Sequence, residues 1–146
     1  MKKLLFILVA VLSLSTVTAQ EFKVVTIVES IVPMGLGRSR ILEHQEPLDV
    51  NTFTTERTDG KKSKQGKVKR SDAKISKFSE TKLLNFYSGV GINFQNIASN
   101  DALISSKINE MIKKGWKLTY VASAVESKGS RDDKQGLFIT RLYFSK

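Results

Sequence analysis

The sequence predicts an α+β domain: an antiparallel sheet of about four to five strands with one main amphipathic helix packed on one face. Three observations predict it. Runs rich in β-branched or aromatic residues stand near both ends of the chain, at Phe22–Val32 and Leu137–Ser145. Apolar residues recur at helical spacing between Asn100 and Lys114, and polar or turn-forming stretches separate these segments.

In FKVVTIVESIV (22–32), seven of eleven residues are Val, Ile or Thr, and no Gly or Pro interrupts them. Val25, Ile27 and Ile31 share one face and Val24, Val28 and Val32 the other, with Glu29 and Ser30 breaking the pattern. A strand apolar on both faces belongs inside a sheet. Pro33-Met34-Gly35-Leu36-Gly37 stops it, and Arg38 to Leu42 returns as a shorter strand, closing a hairpin. Val50 to Glu56 carries a weaker strand pattern centred on Phe53.

Residues 57–77 hold nine basic and two acidic residues, with Val68, Ala73 and Ile75 as the apolar members. Too little apolar surface is available there to offset the entropy of ordering, so a mobile basic insertion is expected. The following segment, Phe78 to Ile97, places Leu83, Leu84, Phe86, Tyr87, Ile92, Phe94 and Ile97 around a Gly89-Val90-Gly91 turn. Its period is ambiguous; Ser79 can cap a short helix through Asn85.

The helix from Asn100 to Lys114 is read from Ile104, Ile108, Met111 and Ile112, at i, i+4, i+7 and i+8. Ser99 or Asn100 serves as N-cap, Asp101 suits the positive end of the helix dipole, and Lys113 and Lys114 the negative end. Gly115 supplies a left-handed residue after the helix, which lets Trp116 fold back on Met111. Two further strands, Trp116–Ser127 and Leu137–Ser145, close the chain as a hairpin around the polar loop Lys128–Gly136. The last has apolar residues on both faces, which predicts a central position.

Ahead of all this, Lys2 and Lys3 precede the apolar run Leu4–Leu12, and Val17-Thr18-Ala19-Gln20 follows. That layout is a secretory signal peptide over 1–19. The run is too short to cross a bilayer, which takes about 20 residues. One domain, 20–146, is expected in the periplasm or secreted, without a transmembrane segment.

The chain has 146 residues, 24 Lys and Arg against 14 Asp and Glu, one His and no Cys, for a formal charge of +10. Without Cys there is no disulfide, thiolate zinc site, Cys nucleophile or lipid-bearing Cys, and one His excludes a multi-His metal site. Two lysines fall in the signal, leaving +8, of which 57–77 contributes +7. The rest of the domain is nearly neutral.

The strand Lys23-Val24-Val25-Thr26-Ile27, the helix end Ile108-Asn109-Glu110-Met111-Ile112-Lys113-Lys114-Gly115-Trp116-Lys117-Leu118 and the closing strand Phe138-Ile139-Thr140-Arg141-Leu142-Tyr143-Phe144 resemble a small uncharacterised bacterial domain family. In that family a helix ends in Gly-Trp-Glu-Leu and a closing apolar strand carries a basic residue; Lys117 stands here in place of the Glu. The Gly35–Arg40 turn and Val90-Gly91-Ile92-Asn93-Phe94 look like a group of exported proteins without an assigned activity. The resemblance implies a compact α+β fold and no mechanism.

Four groups of residues are candidate sites. Arg38 and Arg40, beside the Gly35-Leu36-Gly37 turn, project on one face of an extended segment and form a candidate anion or carboxylate clamp, although neither the P-loop nor the dinucleotide spacing is present and a plain hairpin turn is the simpler reading. Glu43, His44, Glu46 and Asp49 are the acid–base groups nearest the sole His, for which a solvated loop is the simpler reading. Asp132 and Asp133 fit a charge-balanced turn better than a calcium loop. Lys61, Lys62, Lys64, Lys67, Lys69 and Arg70 form an electrostatic surface suited to anionic head groups or polysaccharide, for which a solubilising, disordered loop without a partner is the simpler reading.

These observations predict an exported, non-enzymatic binding or assembly domain that needs no cofactor or metal. Its working surface is the exposed sheet face or the Arg38/Arg40 turn. The partners this leaves are an envelope protein, an anionic surface or a second copy of the chain, and export removes cytoplasmic nucleic acid. Two alternatives are an envelope-associated protein held to anionic surfaces by its basic segment, and a small hydrolase using Glu43, His44 or Asp49.

Overall fold

The computed structural model describes residues 20–30, 38–61, 64–126 and 136–146. The predicted signal over 1–19, the Pro33–Gly37 turn and the loop containing Asp132 and Asp133 lie outside the described residues.

Among the described residues seven strands and two helices follow in the order β1 (Phe22–Ser30), β2 (Arg40–His44), α1 (Val50–Phe53), β3 (Phe78–Lys82), β4 (Tyr87–Ser88), β5 (Gly91–Ile92), α2 (Phe94–Lys113), β6 (Lys117–Val125) and β7 (Leu137–Ser145), with a 3-10 turn at Lys64–Lys67. Five strands form one antiparallel sheet in the order β3-β2-β1-β7-β6, and β4 and β5 pair as a small separate ribbon.

The centre belongs to β1, the run with the most β-branched residues. It pairs with β7 along its whole length, from Phe22↔Ser145 to Ser30↔Leu137, and with β2 from Val25↔Glu43 to Val28↔Arg40. The predicted central strand, β7, is interior but one place off centre, between β1 and β6. Both runs are apolar on two faces, so that pattern marks an interior strand without ranking the two. Glu21 extends the pairing: its N–H donates to the Lys146 carbonyl at 3.0 Å, and the Lys146 N–H returns to Glu21 at 2.9 Å.

Because side chains alternate along a strand, the sheet has two different faces. One carries Val25, Ile27, Ile41, Leu142 and Phe144, which form the buried core with Leu83 and with Met111 of α2. Ile104, Ile108, Trp116 and Leu118 pack against that cluster. The other face carries Val24, Thr26, Leu42, His44 and Tyr143.

Three elements differ from the sequence expectation. Val50–Glu56 is not a strand: its first four residues form α1, because the Asp49 side chain accepts from the Asn51 N–H at 2.9 Å and caps a helical turn. Ser79–Asn85 is not a helix: Phe78–Lys82 pairs with β2 from Arg40↔Lys82 to His44↔Phe78. This strand is almost entirely exposed, so no alternating apolar pattern announces it. The main helix starts at Phe94, capped by Asn93, whose side chain accepts from the Asn96 N–H at 3.1 Å. Its first turns escape the periodicity because Phe94 is exposed and Asn100 occupies an inward position.

The C-terminal end of α2 follows the predicted geometry. Gly115 has φ +85°, its N–H donates to the Ile112 carbonyl at 2.9 Å, and the Trp116 N–H donates to the Met111 carbonyl at 3.0 Å. These two bonds are the pair expected of a Schellman closure. Lys146 adds to it: its ammonium donates to the Lys114 carbonyl at 3.1 Å and lies 5.9 Å from the Trp116 ring centre.

Candidate functional site

Arg38 and Arg40 flank Ser39, which is fully buried. The Ser39 hydroxyl accepts from the Ser30 N–H at 2.9 Å and donates to Asn85 Oδ1 at 2.8 Å. That anchor turns both arginines the other way, since neighbours in an extended segment alternate. Arg40 Nη1 donates to Glu80 Oε1 of β3 at 2.7 Å, so the carboxylate it holds is the domain's own. Arg38 is exposed, and the Gly35-Leu36-Gly37 part of the turn lies outside the described residues.

The Glu43, His44, Glu46 and Asp49 group is not assembled into a site. Glu43 and His44 are adjacent in β2 and therefore face opposite sides of the sheet. Glu43 is only 4% exposed and is held by Lys23 Nζ at 2.6 Å and Lys107 Nζ at 2.9 Å. Lys107 also reaches Glu110 at 2.9 Å, and Glu110 pairs with Lys114. Burial pushes the Glu43 carboxyl up, but the hydrogen bonds and charges of the two lysines outweigh it and hold the group below the usual carboxylate range. Burial lowers Lys107, which its two carboxylate partners more than reverse. Hydrogen bonds from Lys114 and Lys107 hold Glu110 down to about 2. Through Lys23, Glu43 and Lys107 this network links β1, β2 and α2. His44 is exposed, with Nδ1 3.3 Å from the Glu46 carbonyl oxygen, and Asp49 serves as the cap of α1. Among the described residues no group of three or more His, Asp or Glu is placed to hold a metal ion.

A second polar cluster escaped the sequence reading. Asn100, 0% exposed in the middle of α2, accepts from the Leu84 N–H at 2.8 Å and donates to the Leu84 carbonyl at 2.8 Å and to Glu29 Oε1 at 3.1 Å. Asn96 donates to the Asn85 carbonyl at 2.8 Å. These amides satisfy backbone that no strand pairs, between β3 and β4. Burial raises Glu29 above its ordinary value, partly offset by the Asn100 bond, and the Asp101 charge raises it further. The available signal was a polar residue standing four positions before Ile104, on the apolar stripe itself.

The remaining feature lies on the second face. Val24 and Thr26 of β1, Leu42 and His44 of β2, Phe78 of β3 and Ile75 line an apolar groove of about 340 Å³. Ile75 belongs to the basic segment, between Lys74 and Lys77, so the groove and that segment are continuous. Backbone pairing fixes their junction: the Gln45 N–H donates to the Lys77 carbonyl at 3.0 Å. Lys61, Lys67, Lys69 and Arg70 are exposed. Lys64 opens the 3-10 turn, and Lys62 lies outside the described residues. Further along the same face, Tyr120 stands beside Tyr143 with ring centres 5.8 Å apart.

No family model, curated protein or solved structure matches this chain. Among the described residues no helix is long and apolar enough to cross a membrane. The class defined by fold and surface is a small α+β domain built on a five-stranded antiparallel sheet, with an apolar groove bordered by a basic segment.

Proposed function

We propose that this chain is an exported, non-enzymatic binding domain in which α2 covers one face of the sheet and the other face receives a partner. The partner is an envelope protein that presents an apolar side chain flanked by acidic residues. One observation carries this reading: Ile75, from the segment holding +7 of the mature charge, forms part of the groove wall with Phe78, Leu42 and Val24. A groove of that kind orients an apolar anchor, while the cationic border speeds the approach of an acidic surface. The export signal over 1–19 places the domain in the periplasm or outside the cell. Cleavage after Ala19 leaves the Glu21–Lys146 pairing intact.

The test is capture of envelope proteins on chain 20–146 by three forms: wild type, Phe78→Asp and a deletion of Lys61–Lys74. A partner held by the wild type and lost with Phe78→Asp supports the groove, and capture unchanged in both altered forms refutes it. Release of the full-length chain into the periplasm with a new N-terminus at Gln20 or Glu21 is the expected result for export; retention of Met1 in the membrane fraction contradicts it.

The second reading, attachment to anionic surfaces, is favoured by the same +7 and predicts a different pattern. Sedimentation with anionic phospholipid vesicles would then fall on deletion of Lys61–Lys74 and be unaffected by Phe78→Asp. The hydrolase reading has no geometric support, because Glu43, His44 and Asp49 point to different surroundings.

A further inference from the structure

The two edges of the sheet are unlike. On one side β3 has five residues, two of them charged, Glu80 and Lys82. Short length and charge are the usual means by which a sheet edge is kept from pairing with another chain. On the other side β6 has nine residues, and among the described residues it pairs with β7 alone. Its protective features sit at one end: Lys117, and the register irregularity between Leu118 and Tyr120. From Tyr120 to Val125 the strand is regular, uncharged and free of Pro.

The large apolar side chains along that edge are exposed on both faces of the sheet. Tyr120 is 65% exposed on the groove face, and Val121 and Val125 are 47% and 61% exposed on the core face. Helix α2 adds to the core-face side. Ile112 follows Lys107 by five residues, about 140° round the helix. Lys107 reaches β2, so Ile112 lies on the flank away from β2 and toward β6, where it is 53% exposed.

From these features we infer that β6 is a self-association edge, where a second copy of this chain pairs its own β6 antiparallel and extends the sheet to ten strands. The uncharged stretch Tyr120–Val125 meets its own copy without like-charge repulsion, and an antiparallel self-pairing closes as a two-fold dimer with no edge left over on that side. The size is adequate. With Val121 on the two-fold axis all nine residues overlap and present about 30 Å of edge, and about 10 Å of sheet plus about 10 Å of helix make roughly 600 Å² per copy. Doubled, that is roughly 1,200 Å², the lower end of specific interfaces.

The geometry restricts the pairing further. The two-fold axis runs perpendicular to the sheet, so both α2 helices lie on the same face and both grooves on the other. Directly opposed residues in an antiparallel pair point to one face, so a residue, not a peptide bond, sits on the axis. For the regular part of β6 that residue is Val121, Ala122 or Ser123, opposite its own copy.

The chain from Gln20 to Lys146 holds every described element and contains no Cys, so single cysteines report on contact without background. Mass is measured by light scattering or sedimentation at concentrations up to about 100 μM, where a dimer with Kd near 10 μM is mostly assembled. The expected result is twice the monomer mass for wild type and monomer mass for Val121→Lys, with unchanged circular dichroism. Oxidation of Val121→Cys, Ala122→Cys and Ser123→Cys is expected to cross-link one of the three efficiently. A monomeric wild type across the range overturns the proposal and leaves the edge to a strand from another protein. A dimer that survives Val121→Lys, or that cross-links at none of the three positions, overturns it as well.

Discussion

Replacing Asn100 by Ala tests whether the amide cluster between α2 and Leu84 supports the fold. The side chain makes three bonds, to Leu84 N–H, Leu84 carbonyl and Glu29, from a position with no solvent exposure. Ala leaves one donor and one acceptor of the Leu84 backbone without partners, at about 1–3 kcal/mol each. The better helix propensity of Ala returns about 0.5 kcal/mol. A net loss of about 3 kcal/mol is expected, a shift of about 2 M in the urea midpoint for an m-value near 1.5 kcal/mol/M. Trp116, the only Trp, is packed against the core and serves as the fluorescence reporter. Asn96→Ala is the control: it removes one side-chain bond, to the Asn85 carbonyl, and is expected to lose about 1 kcal/mol. Asn100→Asp separates shape from polarity. It keeps an acceptor for the Leu84 N–H but sets a carboxylate against the Leu84 carbonyl and Glu29. Its acid is therefore raised in the folded protein, and its penalty is absent at low pH and grows as pH rises through that raised value. Equal losses for Asn100→Ala and Asn96→Ala, or a pH-independent Asn100→Asp, would refute the reasoning.

Two further predictions concern the ion network and the helix end. Glu43→Gln strands Lys23 and leaves Lys107 with Glu110 alone, and is expected to lower stability by about 2–3 kcal/mol. Because the Glu43 carboxyl is lowered on folding, its contribution is complete above the ordinary value of 4.5 and lost as pH falls through the lower folded value. Thermal melts between about pH 3 and 7 should therefore be flatter for Glu43→Gln than for wild type on the acid side. Glu29, raised on folding, acts in the opposite direction: its penalty is present above its folded value and disappears as pH falls. Gly115→Ala forces a Cβ into φ +85° and meets the flexible Lys146 side chain at 3.4 Å. A loss of about 1–2 kcal/mol by chemical denaturation is expected.

The elements legible in the sequence are those whose own residues carry the cause. β1 is rich in β-branched residues, β7 in Leu, Phe and Tyr, both are apolar on two faces, and the Gly115–Trp116 closure needs a left-handed residue where Gly stands. The elements misread depend on partners distant in sequence. Phe78–Lys82 is a strand because β2 offers it backbone pairing, and its Ser, Glu, Thr and Lys side chains give no alternating signal. Asn100 resembles a cap by residue type, yet it lies inside the helix because the unpaired Leu84 backbone supplies what its amide needs. The groove was hidden for the same reason. His44 and the basic segment were visible as sequence features, but only strand register brings Val24, Leu42 and Phe78 together beside them.

How the charges are distributed bears on which face can recognise anything. The carboxylates of Glu43, Glu80 and Glu110 are each matched within the domain by Lys23, Arg40, Lys107 or Lys114. Such pairs produce little field at a distance, since opposite charges a few ångströms apart cancel beyond about one Debye length, roughly 8–10 Å. The segment 57–77 is different: among its described groups only Lys77 has an ion-pair partner, Glu46, at 3.5 Å. The long-range field therefore originates at one border of the groove, while the core face and the ion network on it stay electrically quiet. An acidic partner would arrive from the Ile75 side of the groove, and raising salt would slow its association far more than its dissociation. A salt-independent association rate would mean that the basic segment does not guide the partner, even if the groove holds it.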